Sequence, residues 1–126
     1  MRLILCLTAA LALSAASTQA LAKTSGFQIN HTSWTFVDPD QKVKVRESID
    51  AHGNYVENAV SGKHIDHGTA VMKDGKACFT SAMTKESESC WTTSAVKIGH
   101  SMVTKSDKGE TLKVTRIGYV KLSIPK

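Results

Sequence analysis

Residues 23–126 are expected to form a small all-β domain, an antiparallel meander of about eight strands closed as a barrel or folded as a compact sandwich. Three observations carry that expectation. Gly, Pro, Asn and Asp cluster at turn positions roughly every 10 residues, too close together for helices to fit between them. The runs between the turns alternate apolar and polar residues, and no run sustains a helical stripe. Cys78 and Cys90 fall opposite each other when one of those hairpins is closed.

Taken in chain order, Ser33 to Val37 runs into the turn Asp38-Pro39-Asp40. Lys42 to Asp50 follows, with Val43, Val45 and Ile49 on one face and Lys42, Lys44, Arg46 and Ser48 on the other. Glu47 interrupts the apolar face, which predicts a barrel rim or a local bulge at that point. Tyr55 to Val60 lies between His52-Gly53-Asn54 and Ser61-Gly62-Lys63, and His64 to Met72 ends at Lys73-Asp74-Gly75-Lys76. Ala77 to Ser81 reverses around Met83-Thr84-Lys85 into Ser89 to Thr93. His100 to Lys105 and Thr111 to Ile117 flank Asp107-Lys108-Gly109-Glu110, and Tyr119 to Ile124 is a ninth candidate strand. Val, Ile, Thr, Trp, Phe and Tyr concentrate in these runs, as a pleated surface favours. Trp34 and Trp91 are expected in the core, Lys23 to Asn30 as a loose arm, and the interior of so short a barrel as filled by side chains.

The opening residues read as an address. Arg2 precedes an uncharged apolar run, and Ala20-Leu21-Ala22 places small residues where signal peptidase cuts, so residues 1–22 are expected to be a removed signal peptide. The run is shorter than a bilayer span, and no transmembrane segment is expected in the mature chain. Cys6 leaves with the leader. Cys78 and Cys90 remain as an even pair in an oxidising compartment, where a disulfide is expected between them.

Charge is unevenly spread. The mature chain carries 15 Lys and Arg against 11 Asp and Glu, and the segment from Lys97 onward is +5 while residues 23–95 sum to −1. Lys42, Lys44 and Arg46 share one strand face, and Lys113 and Lys121 point outward on the last two strands. Should closure bring those strands together, the five form a basic surface for an anionic partner. A nucleic-acid target is not expected of an exported chain.

No catalytic signature stands out. G-x-S-x-G, H-E-x-x-H and C-x-x-C are missing, and no cofactor is expected. His64-Ile65-Asp66-His67 comes nearest to a metal motif, but strand alternation would set His64 and Asp66 on one face and His67 on the other, so no metal site is expected. Asn30-His31-Thr32 matches a glycosylation sequon, a pattern common by chance.

Trp34-Thr35-Phe36, Asp50-Ala51-His52-Gly53-Asn54-Tyr55, Asp66-His67-Gly68-Thr69, Ala77-Cys78-Phe79 and Glu88-Ser89-Cys90-Trp91 occur in an order that resembles a family of small exported alphaproteobacterial β-domain proteins, many of them lipoproteins. The resemblance spans roughly residues 33 to 116, with the Cys-Phe and Cys-Trp pairs as its most specific elements. It implies the hairpin disulfide and an envelope location and carries no catalytic residues. The chain departs from that pattern in lacking a lipobox cysteine, in Ala70 and in the extension from Ile117 to Lys126. The expected function is a non-enzymatic periplasmic or secreted binding module for an anionic envelope component or protein. The alternative is an inhibitor of a secreted protease or cell-wall hydrolase.

Overall fold

The computed structural model describes residues 26–126, so the leader expected over residues 1–22 lies outside the described residues. The described chain is all β. Its strands are β1 (Thr32–Val37), β2 (Lys44–Ile49), β3 (Asn54–Ala59), β4 (His64–Lys73), β5 (Lys76–Ser81), β6 (Ser89–Thr92), β7 (Ser101–Lys105) and β8 (Thr111–Ile117). They form one sheet in the order β6-β5-β4-β3-β2-β1-β8-β7, antiparallel at every pairing.

Because β8 returns to pair with β1, the two free edges are β6 and β7, and these edges meet. Trp91 bridges Ser106, the Asp107 amide donates to the Cys90 carbonyl at 2.9 Å, and the Lys105 amide donates to Thr92 Oγ1 at 2.9 Å. Closure selects the barrel over the sandwich, since a barrel leaves no long edge unpaired. No helix among the described residues is long and apolar enough to cross a membrane.

Alternation sorts the strands into an inner and an outer surface. Trp34 and Phe36 of β1, Ile49 of β2 and Tyr55 of β3 point inward, while Ser33, Ser48 and Asn58 point outward. One end of the barrel is closed by a packed apolar plug. Ile29, 2% exposed, packs there with Trp34, Ile49, Tyr55, Ala77 and Val114. Phe27 meets Trp34 edge to face at 6.3 Å, and the Arg116 guanidinium lies 5.7 Å over the Phe27 ring while donating to the Val96 carbonyl at 2.9 Å. Phe27 and Ile29 therefore belong to the core, not to a loose arm; what distinguishes them is tertiary packing against Trp34, which local composition does not report.

The expected ninth strand is replaced by a strap. After β8 the chain crosses the outside of the barrel instead of pairing along it. Val120 N–H donates to Ser33 Oγ at 3.0 Å, Leu122 N–H donates to Ser48 Oγ at 3.1 Å, and the Ser123 carbonyl accepts from Asn58 Nδ2 at 3.0 Å. Its partners step from β1 to β2 to β3, so Ser33 and Ser48 are buried although they face outward.

Two glycines mark places where backbones come too close for a side chain. At Gly68 in β4 a β-carbon would run into the Thr80 carbonyl, and at Gly53, φ +85°, it would lie 2.7 Å from the Ala70 carbonyl oxygen.

Cys78 and Cys90 are directly opposite in the β5–β6 register and are joined, 12 residues apart in sequence. Closing a loop of that size removes denatured-state freedom worth about 3 kcal/mol. Replacing both cysteines by alanine is expected to lower the unfolding free energy by about that amount in a urea titration. A loss well under 1 kcal/mol would show that the hairpin is held without its staple.

Candidate functional site

Three carboxyl side chains sit inside the barrel, midway between the plug and the opposite end. Glu47 of β2 and Glu57 of β3 are cross-strand partners, and Glu57 in turn faces Asp66 of β4. Each lies on the inward face, so register alone stacks the three side by side. Glu47 is 6% exposed. It is neither at a rim nor in a bulge, as alternation alone had suggested; its acid group occupies an interior position of a regular strand.

The bulge lies one strand further on. Between Glu57 and Asn58 the β3–β4 register slips, so that Asn58 faces His64 and Glu57 faces Asp66, with Ile65 as the extra residue. This overturns the alternation expected for His64-Ile65-Asp66-His67. His64 and His67 share the outer face, with His64 Nε2 2.9 Å from His67 Nδ1 and His64 Nδ1 2.8 Å from Asn58 Oδ1. Asp66 alone turns inward.

There Asp66 is held from two sides. Tyr55 Oη donates to Asp66 Oδ2 at 2.8 Å, and Ser81 Oγ donates to Asp66 Oδ1 at 2.6 Å. Ser81 Oγ also accepts the amides of Met83 and Thr84 at 3.1 and 3.2 Å, which ties the start of the β5–β6 loop to the same carboxylate. Burial pushes the Tyr55 hydroxyl well above its ordinary value, and its bond to Asp66 adds to the effect.

Burial also raises Glu47 and Glu57. For Glu47 the hydrogen bond with Glu57 opposes the shift and the charge of Asp66 reinforces it. For Glu57, which borders the void, the charge of Glu47 adds to desolvation, as do those of Asp66 and Asp38. Two carboxyls in contact away from water hold a proton between them.

Above the carboxyls the barrel is hollow. A cavity of about 300 Å³ is walled by Trp34, Phe36, Phe79, Trp91, Met102 and Leu112. This corrects the expectation that side chains fill the interior: small residues at Ala77, Ser81 and Ser89 leave the space that larger ones would take. The cavity opens at the end where the β1–β2, β5–β6 and β7–β8 loops meet, and Asp38, Asp40, Glu86 and Glu110 stand at that mouth.

The basic candidates lie outside. Lys42, Lys44 and Lys113 line one shallow depression on the outer face of β1, brought together because β1 pairs with both β2 and β8. Arg46 follows Lys44 on the outer row of β2, where it is half-buried and its Nε has no partner among the described residues. Lys121 is not with them. It rides on the strap between the residues bonded to Ser33 and Ser48, and Ser48 is four positions from Lys44, about 13 Å along a strand.

Among the described residues the one group offering three metal-ligand atoms within 4.8 Å of each other is Cys78, Glu88 and Cys90, and its two sulfurs are already spent in the disulfide. That bond fits an oxidising, non-cytoplasmic setting. Compared with protein-family models, curated proteins and solved structures, the chain matches none. The chemistry of the cavity therefore carries the functional reading.

The raised carboxyls make a signed prediction. A carboxyl that stays protonated in the fold but ionises in the unfolded chain favours unfolding once pH exceeds its ordinary value, 4.5 for glutamate. Stability from this source is complete below pH 4.5 and is lost as pH rises through the raised values. Glu57→Gln is expected to melt about 4 °C or more above the wild type at neutral pH and to match it more closely near pH 4. Parallel melting curves at both pH values would contradict the buried-pair assignment.

Proposed function

We propose that the protein is a non-enzymatic binding module, exported to the periplasm or beyond, that takes a small molecule into its barrel. The observation that carries this reading is the cavity of about 300 Å³, open at one end, with aromatic walls and acceptor groups at its base. Pockets for small molecules begin near this size and share this mixture of apolar wall and few polar groups. What the walls offer is shape and fixed acceptors, the elements of recognition. The leader expected over residues 1–22, the disulfide and the resemblance to exported β-domain proteins support the location.

Trp34 and Trp91 both line the cavity, so occupancy is expected to change their emission. A panel of phenyl-bearing small molecules titrated against the protein should yield saturable binders. Ser89→Phe, which fills the space opposite Phe79, should weaken them at least tenfold while leaving the melting curve near that of the wild type. Equal binding by that variant would place the ligand elsewhere.

A second reading rests on a separate observation, the convergence of Lys42, Lys44 and Lys113 in one depression. That face suits an anionic envelope component, bound by charge at the surface. Its mark is association with vesicles of anionic phospholipid that falls steeply with added salt and is lost when all three lysines become glutamate. Binding unchanged by salt or by the triple substitution would remove this reading.

A further inference from the structure

We infer that the molecule taken into the barrel is an organic cation, a protonated amine on a compact ring-bearing body. The inference rests on the cavity being a binding site and names the chemistry that site selects.

The first ground is charge segregation. The chain is basic, with 16 Lys and Arg against 11 Asp and Glu, yet seven of the 11 acids line this one cavity. Among the described residues no Lys, Arg or His lines it. Arg116, which lies on the same side of the sheet as Trp34, is engaged beneath the plug with Val96 and Phe27. An interior lined by one sign of charge, with low-dielectric walls, concentrates its field on the void and draws in the opposite sign.

The second ground is a buried acid pair that is answered only within itself. Glu47 is more than nine-tenths buried and lines the void, and the group that meets its carboxyl is another carboxyl, that of Glu57. Asp66 has its donors in Tyr55 and Ser81; among the described residues the glutamate pair has none from outside the acidic group. Buried acceptors are nearly always matched by donors; one shared proton answers four carboxyl oxygens only in part, and a further donor has room in the cavity that both glutamates line.

The geometry also separates an organic cation from a bare ion. Glu47, Glu57 and Asp66 do not bring one oxygen each within 4.8 Å of one another. That spread exceeds what a single ion's coordination sphere spans, since calcium and magnesium hold oxygens at roughly 2.0 to 2.6 Å. An ammonium group with three divergent N–H donors on a carbon body reaches separated acceptors. Its body then lies against Trp34, Tyr55, Phe79 and Trp91, whose ring faces favour a nearby positive charge. An anion would meet Asp38, Asp40, Glu86 and Glu110 at the mouth before it met anything else.

The test is isothermal titration of matched probes, 2-phenylethylamine, 2-phenylethanol and phenylacetate, with the corresponding tryptamine, indole-3-ethanol and indole-3-acetate series. The amines are expected to bind at least tenfold more tightly than the alcohols, with the acids weakest. Amine binding should release a proton from the glutamate pair, read as a dependence of the heat on the buffer's ionisation enthalpy. Glu47→Gln with Glu57→Gln should erase the preference for amine over alcohol and the proton release together, while the alcohol still binds. Alcohols or acids binding as well as amines would overturn the cationic assignment and leave the cavity reading standing. Failure of every probe in both series would overturn the cavity reading and this inference with it.

Discussion

Every wall of the cavity depends on a seam of very few bonds. Six of the strand junctions come from hairpins or their long-loop equivalents and a seventh from β8 returning to β1, but β6 and β7 are joined through one bridge and a handful of hydrogen bonds around Cys90, Thr92 and Asp107. The strand that carries this burden, β6, is four residues long. The disulfide answers that weakness indirectly. By tying Cys90 to Cys78 it fixes β6 on β5, and the carbonyl of the same Cys90 is what the Asp107 amide meets across the seam. Ser89 and Trp91 on one side and Met102 and Thr104 on the other then stand as continuous wall.

Against that economy, the interior carboxyls are a stability cost, for which Asp66 alone gives a structural return by holding Tyr55 and Ser81. Apolar residues at positions 47, 57 and 66 would pack against their neighbours without desolvating charge, and barrels of this size ordinarily use them. The fold tolerates the acids because Tyr55 and Ser81 satisfy Asp66 and because the glutamates share a proton. Groups held under such conditions are a mark of sites that serve something other than folding. The outer surface follows the opposite logic, with lysines exposed to water and free to meet an anion at little cost.

Much of this architecture was legible in the residues. Turn chemistry at Asp38-Pro39-Asp40, His52-Gly53-Asn54 and Lys73-Asp74-Gly75-Lys76 set the hairpins, and alternation in Lys42 to Asp50 placed Lys44 and Arg46 outside. The cysteine pairing followed from hairpin register. What escaped were features that local pattern does not encode. The strap has the composition of a strand but spends its hydrogen bonds on Ser33, Ser48 and Asn58 instead of a ladder. Ile65 slips the register and sets His64 and Asp66 on opposite faces, and a one-residue slip of that kind has no signature in period-two counting. The carboxyl cluster was half visible. Glu47 stood out on an apolar face, and Tyr55, Glu57 and Ala59 alternate the same way on the next strand; reading the two strands as neighbours would have set the glutamates side by side.

The two ends of the barrel divide their labour. The plug end holds Ile29, Trp34, Ile49 and Val114, whose packing carries the fold, and the mouth end is lined by three connecting loops, where Asp38 also caps its own turn by accepting the amides of Asp40 and Gln41. Composition at residues 39–42, 82–87 and 108–109 can therefore drift without disturbing the packed layer, whereas Ser106 and Asp107 are held by the seam. A lineage of such barrels would retain its frame while exchanging what it admits, and the same separation makes this chain a small scaffold on which new recognition can be written from one side.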